Sequence, residues 1–528
     1  MKKIILSSIV AICFFNSGCK KYLGTSPQDF ITPANYFTKE QDVVLAFNAA
    51  YDEMTRQWFY AGYWQARMVE SCDDVYCTLT GQYPANHQAI ATDASFSSSW
   101  QVLYEAIERC NVLLANIDKV NMDASKKGYI KGEALFFRAY CFFFLVEQWG
   151  PVPLKLKPTA DANDITIARS PVAAVYAQIL KDMTEAEGLV PTTALADYGG
   201  AGYPAKTTVQ GILARVCLTM AGEPLNDKSK FQDAKNWAQK VVDSKEHSLN
   251  PDYQDVFIKM VSNQYDKKES LWEVDMVDAP GKTEHGYLGY LNGILCPLAD
   301  TGNCAGQVRC SRLLYNLYDS KDVRRDWNIA PYYFVASGST VTRSYMSSTA
   351  LYDRFPGKFR LQYSPFPRVT GRSPVNFPLL RYADVLLMLA EADNEIANGP
   401  TALAYSCINQ VRARAHGKFL PGATNPTEAD LTPALDQISF RQAIQDERCR
   451  EFPSEGLRKH DLVRWGIFFS TLQKMKNDVN NTALPAVNSA LKQAIINIAS
   501  YATPKWALWP IPASEISLNN GTEQNPGW

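Results

Sequence analysis

At 528 residues the chain is long enough to bury one large hydrophobic core or two to three smaller ones. Its 53 basic and 54 acidic residues leave a formal net charge of −1 with no basic run, which argues against a nucleic-acid binder. Aromatic residues reach 12%, including 27 Tyr and 11 Trp, more than a helical core consumes, so rings remain for a binding surface.

The chain opens with Met1-Lys2-Lys3, an apolar stretch from Ile4 to Phe15, and Asn16-Ser17-Gly18-Cys19. A basic start, an apolar run too short to span a bilayer and small residues before a cysteine predict a lipoprotein signal over residues 1–18. Cys19 would then be the lipidated first residue of an exported, membrane-tethered protein. Asn16 departs from the branched apolar residue usual at that place. Removing Lys2 and Lys3 lowers the basic count from 53 to 51 against 54 acids, a net charge near −3. No later stretch suits a transmembrane helix; even Phe136–Val146 carries Arg138 and abuts Glu147.

Helical periodicity dominates the rest of the chain. Ala134, Phe137, Cys141, Phe144 and Leu145 fall on one helix face, while Phe136, Tyr140 and Phe143 fill the other, so this helix should be buried nearly all round. Gly150-Pro151 stops it. Val172–Ala186 forms the next, with Ser170 as cap and Pro171 in the first turn. Thr207–Met220 and Phe231–Asp243 make a pair, and Arg381–Ala397 and Ala402–His416 another, around Asn398-Gly399-Pro400. Ala383, Leu387 and Ala390 lay a stripe suited to close helix packing. Such pairs suggest an array of tetratricopeptide type, without a clean 34-residue repeat. Two segments break the pattern: Trp58–Ser99, and roughly Asn250–Pro378 with short β-like runs such as Leu271–Val274. Long irregular insertions on a scaffold are where binding usually resides.

Cys13 leaves with the signal, so ten cysteines besides Cys19 would meet an oxidising compartment. Cys72 and Cys77, and Cys304 and Cys310, are close enough in sequence for local disulfides. Cys110, Cys141, Cys217, Cys407 and Cys449 read as small buried residues. No C-x-x-C pair with a nearby histidine supports zinc, and no metal or cofactor is implied. His87, His247, His285, His416 and His460 are scattered, and neither H-E-x-x-H nor G-x-S-x-G occurs. Gly199-Gly200-Ala201-Gly202 lacks the following Lys-Ser/Thr of a phosphate loop and reads as a plain loop. Glu447, Glu451, Glu455 and Asp461 beside Arg448, Arg458 and Arg464 invite a two-carboxylate glycosidase reading. Arginine-paired carboxylates stay ionised and make poor general acids, so the expectation is a structural clamp on the last helices, with no catalytic residues.

Six stretches together resemble the SusD/RagB family of outer-membrane nutrient-binding lipoproteins. They are Glu70-Ser71-Cys72-Asp73-Asp74 with Trp100, Tyr104, Ile107 and Asn111; Gly132-Glu133-Ala134 through Ala139, running on to Trp149-Gly150-Pro151-Val152-Pro153-Leu154; and Arg381-Tyr382-Ala383-Asp384-Val385-Leu386-Leu387. Then come Ile408-Asn409-Gln410-Val411-Arg412-Ala413-Arg414-Ala415; Glu447 through Glu451 with Glu455-Gly456-Leu457-Arg458 and Asp461 through Gly466; and Trp509-Pro510-Ile511-Pro512 with Gln524-Asn525-Pro526-Gly527. Pro453-Ser454 replaces a more apolar pair, and Lys20-Lys21 stand where surface-exported relatives commonly carry acids.

The resemblance implies a mostly α protein: a tetratricopeptide-like helix-pair array packed against an irregular loop-rich region with a few short strands. One domain over 19–528 is expected, with the array mainly at 40–250 and 380–475 and ligand-side insertions at about 58–99 and 250–378. It further implies a lipid-anchored protein on the outside of the outer membrane that captures an oligomer, most often a glycan. Delivery would be to a TonB-dependent (SusC-like) transporter. Peptide capture, a surface glycoside hydrolase and a pure protein scaffold are the alternatives. Sugar rings stack their C–H faces on Trp and Tyr, while Asn, Asp and Arg bond the hydroxyls. The insertions supply these types: Trp58, Tyr60, Tyr63, Trp64, Tyr76 and Tyr83, then Tyr287, Tyr290, Trp327, Tyr332 and Tyr333, with Asn292, Asn303 and Arg324 nearby. The candidate contacts are Tyr63, Trp64, Tyr76, Tyr83, Tyr287, Tyr290, Trp327 and Tyr332.

Overall fold

A computed structural model describes residues 36–69, 71–81, 83–161, 166–192, 202–276, 286–365, 367–421, 429–481 and 488–528. The signal segment with Cys19, residues 199–201 of the glycine-rich stretch and His285 lie outside the described residues. Thirteen helices of seven residues or more occur among the described residues: α1 Glu40–Asp52, α2 Ala94–Asn116, α3 Ala124–Trp149, α4 Val172–Leu189, α5 Lys206–Ala221, α6 Lys230–Ser244 and α7 Tyr253–Val261 come first. After them stand α8 Tyr382–Ala397, α9 Ala402–Ala415, α10 Gln437–Glu451, α11 Arg458–Arg464, α12 Phe468–Asn481 and α13 Ser489–Tyr501. None is long and apolar enough to cross a membrane.

The helices stop and start where local chemistry dictates. Asp93 caps α2 by accepting the Ser95 N–H at 2.8 Å, and Asp123 caps α3 through the Lys126 N–H at 2.8 Å. Gly150 ends α3 at φ 71°, a left-handed position against Leu508 where a side chain would be strained. Pro171 precedes α4 as expected, but Ser170 does not cap it: Ser170 lies in a strand paired with Val152. Asn398 at φ 55° closes α8, and Thr401 opens α9 by accepting the Leu403 N–H at 3.1 Å.

Consecutive helices pack as neighbours, α2 on α3, α3 on α4, α4 on α5 and α5 on α6, and α8 closes on α6, α9 and α10. This helical array is joined to irregular segments, the mostly α, SusD-like architecture expected. α3 is its axis: from Ala134 to Val146 every side chain is buried. Ala383, Leu387 and Ala390 of α8 are fully buried, as their stripe predicts. Strands are few and occur as two-stranded antiparallel pairs. Those that matter here are β1 Val75–Cys77, β2 Ser270–Val274, β3 Val308–Cys310, β4 Tyr332–Ser337, β5 Thr340–Tyr345 and β6 Phe377–Arg381. β1 pairs with β3, β2 with β6, and β4 with β5. All ten cysteines of the described part are buried. Cys72 and Cys304 are free thiols, so neither local disulfide forms; Cys304 is instead backbone-paired with Cys296.

Candidate functional site

The two irregular segments, far apart in the chain, are fastened together. β1 runs antiparallel to β3, with Val75 opposite Cys310 and Cys77 opposite Val308. The ladder continues on both sides, from the Thr78 N–H to the Gln307 carbonyl at 2.9 Å and from the Ser311 N–H to the Asp74 carbonyl at 2.9 Å. The Tyr287 N–H reaches the Ala61 carbonyl at 2.6 Å. This last bond lays Tyr287 against Tyr63: their rings are 5.8 Å apart and 7° from parallel. Gln57 donates from Nε2 to both hydroxyls, at 3.1 Å to Tyr63 and 3.4 Å to Tyr287. Trp58 stands 5.0 Å from Tyr63, and Tyr290 stands 6.0 Å from Tyr287. The Arg67 guanidinium lies 4.1 Å from the Tyr63 ring centre and 5.5 Å from that of Tyr83. All of these residues are half-buried. The result is a shelf of aromatic groups with amide and guanidinium donors among them, the chemistry that a sugar face and its hydroxyls require.

The eight rings chosen from sequence divide evenly. Tyr63, Tyr83, Tyr287 and Tyr290 come together on the shelf. Trp64, Tyr76, Trp327 and Tyr332 are core or covered rings, and burial removes them from the set able to lie under a ligand. Trp64 is wedged against Phe144 at 4.3 Å and Trp509 at 5.7 Å. Tyr76 is fully buried and donates its hydroxyl to the Tyr352 carbonyl at 2.5 Å. Trp327 and Tyr332 are 3% and 4% exposed, with Arg360 and Arg343 packed beside them at 4.0 Å and 4.6 Å. Tyr60 is likewise internal, bonded to the Tyr140 hydroxyl at 2.5 Å. Asn292 is fully buried, its side chain accepting the Gly289 N–H, while half-buried Asn303 bridges the Cys296 carbonyl and the Gly371 N–H. Two rings that sequence reasoning passed over, Tyr345 and Tyr363, are 69% and 37% exposed beside Tyr332 and Trp327. The β4–β5 hairpin that carries Tyr345 turns at Gly338-Ser339, a signal present in the sequence.

Arg324 is no ligand group either; it belongs to a buried ionic network. Its guanidinium donates to Asp322, to Glu447 at 2.8 Å and to Glu451 at 2.9 Å. Glu451 also accepts Arg414 at 2.7 Å and Arg381 at 2.9 Å, and Arg381 reaches on to Glu455 at 2.8 Å and Glu269 at 3.0 Å. A second branch ties Arg448 to Asp461 at 2.7 Å and Asp384 at 2.5 Å. Arg458 clamps Asp73, beside β1, through two bonds of 2.7 Å. Burial pushes Glu451 up, but Arg414, Arg381 and Arg324 overcome it and hold the carboxyl down to about 2. Glu447 is held well below the usual carboxylate range in the same way by Arg324, Arg450 and Arg412. These acids are buried, ionised and saturated, as a clamp requires. Among the described residues no group of three potential metal ligands gathers.

Residues 268–528 match the model of the SusD family, and residues 35–218 match a model described as starch-binding, associating with outer membrane. The chain belongs to the SusD/RagB family. It is 26% identical to the SusD-like protein P25 of Formosa agariphila over 515 residues, spanning 90% of this chain and 91% of that one. A SusD homolog from Bacteroides thetaiotaomicron superimposes with a TM-score of 0.84 at 26% identity, covering 94% of this chain and 98% of that structure. A laminarin-binding SusD-like protein shares the SusD fold with a TM-score of 0.69 at 22% identity, covering 93% of this chain and all of its own.

Proposed function

We propose that this SusD-family protein is a non-catalytic capture protein for an oligomeric glycan, tethered by Cys19 on the outside of the outer membrane. It passes its cargo to a TonB-dependent, SusC-like transporter. The observation that carries the reading is the Tyr63–Tyr287 shelf with Gln57 and Arg67, flat faces and donors side by side on half-buried residues. Two features support it: one matched family model is described by starch binding at the outer membrane, and relatives of this fold include a laminarin-binding protein. The arginine-saturated state of Glu447 and Glu451 supports a binding role over hydrolysis.

The test is affinity electrophoresis and calorimetry of the purified protein against a panel of polysaccharides and peptides, with product analysis. Tyr287→Ala is expected to weaken glycan binding about five- to thirtyfold, a loss of about 1–2 kcal/mol for a ring at the centre of a contact, with no sugar released. Unchanged binding in Tyr63→Ala and Tyr287→Ala would remove the shelf from the reading. Peptide binding in place of glycan would reassign the cargo, and released oligosaccharide would establish a hydrolase.

A further inference from the structure

At the junction between the helical array and the C-terminal helices lies a cavity of about 290 Å³. Its walls are apolar: Val146 of α3, Tyr176 of α4, Pro224 after α5, Phe469 of α12 and Leu508. Most of the polar groups lining it already have partners. Arg464 is saturated by Glu391 at 2.8 Å and Asp461 at 2.9 Å. His460 is bonded through Nε2 to the Gln148 amide at 3.0 Å, and its Nδ1 lies 3.9 Å from Glu147, which in turn meets the Thr219 hydroxyl at 3.5 Å. Lys459 differs from all of them. It is 8% exposed, and among the described residues its ammonium makes no hydrogen bond or ion pair; the Trp509 face lies near, at 5.1 Å, and Cys72 and Glu147 stand within electrostatic reach. A buried cation without an anion is costly, and a ligand that supplied one would gain that energy on binding.

We propose that this cavity binds a small monocarboxylate with an apolar body, its carboxylate paired with the Lys459 ammonium and its body set against Tyr176, Phe469 and Leu508. The volume lies just below the range of drug-sized sites, so the ligand is a single small acid, not the oligomer assigned to the shelf. Glu147 does not oppose an anion, because burial pushes its carboxyl up to about 8 and near pH 7 it holds a proton it can donate. Burial pushes Lys459 down to about 8, which leaves it mostly charged at the same pH. The remaining acid on the lining, Glu223, is exposed and screened by solvent.

Three probes of one shape separate the chemistries: benzoate, benzamide and benzylamine, added to the purified protein near pH 7 and followed by saturation-transfer NMR and calorimetry. Benzoate is expected to bind with a dissociation constant on the order of 1 mM, as suits so few heavy atoms, and at least about tenfold more tightly than the other two. Lys459→Met keeps the volume and removes the charge; it should weaken benzoate about tenfold or more. Glu147→Gln mimics the protonated acid and should stay within about threefold of the parent. Circular dichroism reports whether each variant folds, and if Lys459→Met does not, the ranking of the three probes on the parent protein decides. Equal binding of benzamide or benzylamine, unchanged benzoate binding in a folded Lys459→Met, or no benzoate binding would each overturn the assignment.

Discussion

Glu451→Gln strips a carboxylate that three buried guanidinium groups share, and its cost can be worked from the structure in two ways. The carboxyl is held from 4.5 down to about 2, and a displacement of that size is worth about 3 kcal/mol of stability at neutral pH. Removing one partner from a buried ion pair costs about 3–5 kcal/mol in general, so the two routes agree. The sign with pH is fixed by the same displacement. Because the folded value lies below the unfolded one, the contribution is complete above about 4.5 and lost as pH falls through about 2. At about pH 3 less than half of it should remain. Urea unfolding followed by tryptophan fluorescence gives the free-energy difference between parent and variant at each pH. A cost below about 1 kcal/mol at pH 7, or the same cost at pH 3 and pH 7, would refute the view that Arg324, Arg381 and Arg414 are held by this charge.

Asp74 titrates in the opposite sense, because burial first and then the neighbouring Asp73 push it up to about 7. Its folded value lies above the unfolded one, so the parent should lose stability relative to Asp74→Asn as pH rises from about 4 to about 7. Melting temperatures of the two proteins at pH 5 and pH 8 check this, and a flat or reversed trend contradicts it. Gly222→Ala places a methyl 2.3 Å from the Arg464 carbonyl oxygen, where α5 and α11 meet. The overlap should cost about 1–3 kcal/mol in the same urea assay; a neutral result would show that the two helices separate freely.

What could be read from sequence tracks how local the cause is. The helix around Ala134–Leu145 was legible because its periodicity and its all-round apolar character are properties of one segment, and burial follows from them directly. The acid-rich end of α10 was legible as a clamp from the arginines interleaved with its acids. Its partners were not, since Arg324, Arg381 and Arg414 arrive from three other parts of the chain, and Arg324 read as a ligand group among tyrosines. The same limit divided the rings. Tyr63 and Tyr76 sit in the same irregular, tyrosine-bearing segment, yet one lies on the shelf and the other is sealed in by the β1–β3 pairing and Tyr352. No window of sequence around either residue contains that partner. Ser170 failed as a cap for a related reason: its backbone was claimed by Val152.

The joining of the two irregular segments bears on when the shelf comes into being. Tyr63 waits for Tyr287, β1 waits for β3, and Asp73 waits for Arg458, 385 positions later in the chain. Contacts across such spans form only after a long loop has been closed, an entropic cost met late in folding. α3 and its neighbours can assemble from the first half of the chain as it emerges, whereas the shelf has only its Tyr63 side there and lacks Tyr287 and Tyr290. On that ordering the helices of the first half precede a complete shelf, and the clamp on Asp73 closes only once Arg458 of α11 has been made.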